Sequence, residues 1–196
     1  MGRVVTGLEV FLQEPPAWVK GARLGFLTHT PAVGPDLTSA RELLARGFPG
    51  RLKLLFSPQH GLLGEKQDNM IPSADFLDPL TGLPVVSLYG PRMAPPPESL
   101  ADLDVILADL FDVGTRVYTF AATLAQVMET AGKLDKKVVV LDRPNPIGGA
   151  AVEGNLLRPE WASFVGPYPL PMRHGFSLGE LARYYRVTQY LSCELR

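Results

Sequence analysis

Short apolar runs alternate along this chain with stretches of helical period. Five runs, RLGFLT (23–28), RLKLLFS (51–57), LPVVSLY (83–89), DVILADL (104–110) and KKVVVLD (136–142), are rich in Val, Ile and Leu and nearly continuous. That is the pattern of parallel strands buried on both faces. Between them, LTSARELLARG (37–47) reads as a helix capped by Thr38 or Ser39 and closed by Gly47. VYTFAATLAQVMETAG (117–132) reads as a longer helix that ends at a glycine. TGLEVFLQE (6–14) supplies a helix before the first strand, and the proline run Pro95–Pro97 ahead of Glu98 marks another helix start. In FSLGELARYYRV (176–187), Ser177 and Glu180 have capping-box spacing, so a last helix is expected there. TQYLSCELR (188–196) then ends the chain, with no further strand expected. Strand–helix alternation of this kind predicts an α/β fold, an open, mostly parallel sheet flanked by helices.

Composition narrows the function classes. The 196 residues suit one domain, or one domain and a fragment of another. With 46% hydrophobic and 20% charged residues the chain has ample core material and is not a disordered polymer. A net charge of -1 without a basic stripe argues against nucleic acid as a partner. No apolar run reaches the ~18 residues that span a membrane, and the first twenty residues lack a continuous signal-peptide core. As written, the chain reads as cytoplasmic; an exported protein whose signal had been removed would read the same. The one cysteine, Cys193, has no intrachain disulfide partner and no histidine near it in sequence, so it reads as an incidental thiol.

In open α/β sheets ligands lie beyond the carboxyl ends of the strands. The residues following each run are therefore the candidates. They are Thr28 and His29 after the first; Gln59, His60 and Glu65 after the second; Tyr89 after the third; Asp109, Asp112, Arg116 and Tyr118 at the fourth; and Asp142, Arg143 and Asn145 after the fifth. Arg173 and His174 precede the last helix. Each has a structural alternative. Asp109 can bond loop amides, Asp112 and Arg116 can pair across a turn, Asp142 can scaffold its loop, and His174 can cap a helix. No cofactor is indicated. G-x-G-x-x-G and a Walker lysine are absent, the three histidines form no H-x-x-x-H pair for a metal, and there is no G-x-S-x-G elbow.

Six motifs in order, FSPQHGLLGE, TGLPVVSLYG, DVILADLFDVGTRVYTF, VVVLDRPNPIGG, VEGNLL and SFVGPYPLPMRHGFSLGELA, carry a resemblance over residues 5 to 186. The set resembles the bacterial exo-β-N-acetylmuramidase family, long catalogued as a domain of unknown function. The resemblance implies a Rossmann-like domain over 1–175 and the start of a second domain at 176–196. It also implies release of terminal N-acetylmuramic acid from peptidoglycan fragments in a cleft between subdomains.

The family pattern after the second strand is Pro-Glu-His-Gly, with glutamate as the presumed acid. This chain has Gln59 there, and an amide has no proton to give a leaving oxygen. Substrate-assisted glycosidases need only one acid and one group that orients the sugar's acetamido arm. On that plan Glu65 reaches back as the acid, Asp109 or Asp112 orients the acetamido group, and Arg116 or Arg143 clamps the lactyl carboxylate. His60 holds the acid or a water. The expected partner is an amino sugar or peptidoglycan fragment, with an oligomer possible. Three other readings remain: a binding protein that retains the sugar uncleaved, a variant whose residues 67–69 supply new contacts, and an assembly in which another chain completes the cleft.

Overall fold

The computed structural model describes residues 3–66 and 71–196. Strand β1 (Leu24–Thr28) is central and buried at all five positions. It pairs in parallel with β2 (Leu52–Ser57) on one side and β5 (Val105–Asp109) on the other. Outward from β2 comes β4 (Pro84–Ser87), parallel, and then the short antiparallel edge strand β3 (Phe76–Leu77). Outward from β5 come β6 (Lys137–Val140) and β7 (Glu194–Leu195), both parallel. The seven-stranded order is β3-β4-β2-β1-β5-β6-β7. All five expected strands form in a mostly parallel α/β sheet.

Successive strand residues point to opposite faces, and here each face has its own core. Leu24, Phe26, Val105 and Leu107 pack with Leu8, Phe11 and Leu44 from α1 (Gly7–Gln13) and α2 (Ala40–Gly47). Leu27, Phe56, Ile106 and Ala108 pack with Leu124, Met128, Leu181 and Tyr185 from α4 (Phe120–Lys133) and α5 (Leu178–Thr188). Two hydrophobic faces explain why the strands read as continuous apolar runs. Full burial of each Leu, Phe or Met side chain stabilises by about 1.5–3 kcal/mol. Pro97–Leu100 forms α3, with proline at its start. Thr6 with Glu9 and Ser177 with Glu180 form complete capping boxes on α1 and α5.

Several boundaries differ from expectation. Helix α2 begins at Ala40 rather than residue 37. Leu37 sits at φ +66°, and the Thr38 hydroxyl bonds to Asp36 at 2.8 Å, so those residues turn instead. Helix α4 begins at Phe120 rather than residue 117, because Tyr118 N–H bonds to Thr115 O at 3.0 Å in a turn. Edge strand β3 is too short to show in the sequence pattern.

The chain end, expected to hold no strand, forms β7. Val140 N–H donates to Arg196 O at 3.0 Å and Arg196 N–H to Val138 O at 2.9 Å, while Cys193 lies buried in the α4–α5 core. Residues 176–196, expected to open a second domain, thus pack into this core and extend this sheet.

Candidate functional site

The parallel strands reverse direction of addition between β1 and β5, the usual crevice for ligands in such sheets. Here the chain fills that crevice itself. His29, 6% exposed, follows β1 and accepts the Phe111 N–H on Nε2 at 2.8 Å. Its ring packs edge-on against Phe120, with centroids 4.7 Å apart. Beside it, Arg143 grips Asp109 through Nε at 2.5 Å and Nη2 at 2.9 Å, and Nη2 also donates to Val33 O at 2.9 Å. Burial pushes the Asp109 carboxyl up, and the Arg143 fork pulls it back. Thr28, also buried, points its hydroxyl at no partner among the described residues. The crevice is a packed joint.

Burial, and secondarily the Arg143 charge, lowers the His29 pKa from 6.5 to about 4. An unfolded chain would protonate this imidazole near 6.5, whereas the folded chain resists until about 4. The stabilising contribution is therefore complete above that upper value and is lost as the pH falls towards the lower one, by at most about 3 kcal/mol. His29→Gln keeps an acceptor for Phe111 N–H and removes the titration. It is expected to flatten the fall in melting temperature between pH 7 and pH 4.5; an unchanged slope would assign acid sensitivity elsewhere.

The polar residues that meet a cavity come from the loops after β2, β4 and β5. After β2 the chain reverses within FSPQHG. His60 at φ +74° and Gly61 at φ +80° both take the left-handed region, which is strained for histidine. The turn is held because Lys66 N–H donates to His60 O at 3.2 Å and His60 Nδ1 meets Lys66 O at 2.7 Å. A carbonyl only accepts, so Nδ1 carries a proton. In the neutral ring Nε2 is then an acceptor, and it has no hydrogen-bond partner among the described residues.

Gln59 precedes this turn and is 8% exposed. Its Oε1 accepts the Thr119 hydroxyl at 2.8 Å, which fixes the amide so that its NH2 is the group left to donate. Gln59, His60 and Thr119 share a cavity of about 580 Å³ with Tyr89 and Tyr118. That volume suits a small ligand. Met93, Val117 and the Ser163–Val165 loop complete its walls. The Tyr118 hydroxyl stays protonated, since burial and then the Asp112 charge raise its pKa.

Four residues expected at the site, Gln59, His60, Tyr89 and Tyr118, are thus brought together. Others have structural partners instead. Asp109 and Arg143 bind each other, so neither is free to orient an acetamido group or clamp a carboxylate. Arg116 makes no pair with Asp112. Its Nη1 donates to Asn155 O at 2.8 Å and Leu170 O at 2.5 Å, pinning the 153–173 segment to the sheet edge.

Asp112 lies behind Tyr118, accepting Gly114 N–H at 2.7 Å. His174 Nδ1 accepts Phe176 N–H, which puts the proton on Nε2, 3.6 Å from Asp112 Oδ1. Asn145 bonds Phe176 O and Ile147 N–H, and Arg173 bonds Ile147 O and Glu153. Asp142 scaffolds α5 through Ser177 Oγ and Gly179 N–H. Glu65 is exposed and lies over Gly61, where a Cβ would come within 2.5 Å of its carboxylate; it is not in the cavity wall. Residues 67–69 lie outside the described residues.

Sequence reasoning missed Thr119 and Phe164. Thr119 was hidden inside an expected helix. Phe164 stands in a proline- and glycine-rich segment, where an aromatic residue is a signal worth following. A second cavity of about 550 Å³ between α1 and β6 is walled mainly by aliphatic residues, and Ser177 and Asp142 on its rim bond to each other. Among the described residues no group of three or more His, Cys, Asp or Glu side chains could hold a metal ion.

Residues 24–196 match the family model described as exo-beta-N-acetylmuramidase NamZ, N-terminal. The peptidoglycan beta-N-acetylmuramidase NamZ of Bacillus subtilis is 42% identical over 195 residues, 98% of this chain and 46% of that protein. Crystal structures of two DUF1343 family proteins from Bacteroides fragilis superimpose with TM-scores of 0.87 and 0.82, at 38% and 30% identity. They are covered over 48% and 51% of their length, by 97% and 100% of this chain. The chain spans about half the length of the relatives it matches.

Proposed function

The chain belongs to the exo-β-N-acetylmuramidase NamZ family, and on that premise we propose that it engages the terminal β-N-acetylmuramic acid of peptidoglycan fragments in the cavity beside Gln59, as a protein of glycoside hydrolase type. The observation that carries this reading is the placement of the FSPQHG loop. The motif behind the resemblance forms a strained turn at the carboxyl edge of the sheet, and its Gln59 and His60 face a cavity of ligand size.

The residues assign themselves simple tasks. Gln59, fixed by Thr119, donates its amide N–H to a ligand oxygen. His60 offers Nε2 as an acceptor or as a base for water. Tyr89 and Tyr118 enclose the ring and exclude solvent. Hydrolysis through this site requires a proton donor other than Gln59.

One observation favours a second reading, retention of the sugar without cleavage. The described residues that line the cavity include no carboxylate. The two readings separate in one assay, in which the chain is given a chromogenic β-N-acetylmuraminide with the corresponding glucosaminide as control. Release of chromophore from the muraminide supports hydrolysis. Saturable binding without release supports retention, and neither would refute the proposal.

A further inference from the structure

The segment between residues 153 and 173 reaches over the sheet edge and ends in a tight turn at the cavity. Ser163 N–H donates to Gly166 O at 3.1 Å, and Gly166 N–H donates back to Ser163 O at 3.0 Å. This closed pair places Phe164 and Val165 at the tip, both in the cavity wall. The base is anchored. Leu157 N–H bonds Leu170 O at 3.1 Å, and Arg116 ties both sides of the segment through Asn155 O and Leu170 O. Gly166 packs against the Arg116 stem, where a Cβ would stand 3.8 Å from Cδ. The tip is thus held at a fixed position rather than left as a free loop.

At that position the Phe164 ring meets Tyr89, which extends from β4. Their centroids are 6.0 Å apart and their planes tilted by 40°. Tyr89 is 8% exposed and firmly seated. Tyr118, backed by Phe120 at 4.5 Å, stands in the same cavity. Gln59 and Thr119 supply the nearby hydrogen-bonding groups. Among the described residues the wall contains no lysine, arginine or carboxylate. A ligand matching this wall presents one apolar face to aromatic rings and a polar edge to an amide and hydroxyls, and needs no charge partner there. A pyranose ring fits that description. Its axial C–H groups, weakly positive, meet the negative face of an aromatic ring, and its substituent oxygens lie at the rim.

We infer that Phe164, with Tyr89, is a sugar-binding platform, so that this cavity recognises the ring of an amino sugar by stacking and not the carboxylate of its lactyl arm. The inference rests on the amino-sugar reading above and names the part of the ligand that the cavity takes.

The test is calorimetric titration of the chain with methyl N-acetyl-β-muraminide, repeated for Phe164→Ala and Phe164→Trp. The side chain is partly exposed at a loop tip, so both variants are expected to fold, as circular dichroism will verify. Phe164→Ala is expected to weaken binding by about tenfold or more, and Phe164→Trp to hold it within about threefold. Affinity of the native chain is expected to change by less than about twofold from about 50 to about 500 mM salt, because no exposed ion pair is formed. If the native chain binds and Phe164→Ala binds equally well, the platform is wrong while the amino-sugar reading stands. Strong salt dependence would likewise overturn it, by showing that a charge is read. If the native chain binds no amino sugar, both fall together.

Discussion

Gln59→Glu is expected to raise hydrolysis of a chromogenic β-N-acetylmuraminide by about 10²- to 10⁴-fold over the native chain, the usual contribution of a placed general acid. Gln59 is almost wholly buried, at the end of a strand whose position is fixed by parallel neighbours on both sides. The Thr119 hydroxyl already marks where one carboxyl oxygen would sit, 2.8 Å away. The other oxygen would replace the amide NH2. Burial of a carboxyl group away from cations raises its pKa, so that it still holds a proton near neutral pH. The Thr119 hydrogen bond works against that shift by favouring the ionised form. The variant should therefore show activity that declines on the alkaline side, with a pKa above the ordinary carboxylate range. Gln59→Leu has similar bulk and no proton, and should leave hydrolysis at the native level. If the native chain already matches Gln59→Glu, another residue donates the proton.

Arg143→Met is expected to lower stability by about 3–5 kcal/mol, because it strands the Asp109 carboxylate in the interior. The Asp109 side chain is 0% exposed and the Arg143 side chain 8%. Neither can exchange its partner for water without opening the joint between β1, β5 and the loop after β6. The third Arg143 contact, to Val33 O, is lost as well. For a chain of this size the expected fall in melting temperature is about 10 °C. The double variant Asp109→Leu/Arg143→Met should recover much of that loss, since a buried pair contributes less than the penalty of breaking it. Thermal unfolding followed by circular dichroism measures both. A single variant that melts within about 2 °C of the native chain would show that the joint is open to solvent.

The fold was readable because its physics is written in runs. Parallel strands covered on both faces need near-continuous apolar sequence, and RLGFLT and DVILADL show it; the capping box of Ser177 and Glu180 is spelled out locally. Strand β7 was not readable, since Glu194–Leu195 is a strand only by virtue of β6 beside it. The site was readable to the level of the edge and no further. Gln59, His60, Tyr89 and Tyr118 follow directly from the ends of strands or the turn that leads into α4. Arg116 and Arg143 also follow strands and Asp109 ends one, but their partners lie tens of residues away in the chain: Arg143 meets Asp109 and Val33, and Arg116 meets Asn155 and Leu170. Pairings at that separation leave no local pattern, so a charge that looked available for ligand was engaged in holding loops. Phe164 is the reverse case. It stands in one of the motifs that carry the resemblance but follows no strand, and it reaches the cavity on a segment that Arg116 anchors through Asn155 O and Leu170 O.

The most direct test of the central claim, that the cavity beside Gln59 is the amino-sugar site, is to follow the Gln59 side-chain NH2 resonance of the ¹⁵N-labelled chain during titration with methyl N-acetyl-β-muraminide. The NH2 is the donor left open once Thr119 holds the amide oxygen. It is predicted to shift progressively and saturably, together with the backbone amides of His60, Tyr89 and Phe164. A saturable response confined to residues elsewhere, with the Gln59 NH2 unmoved, would contradict the account.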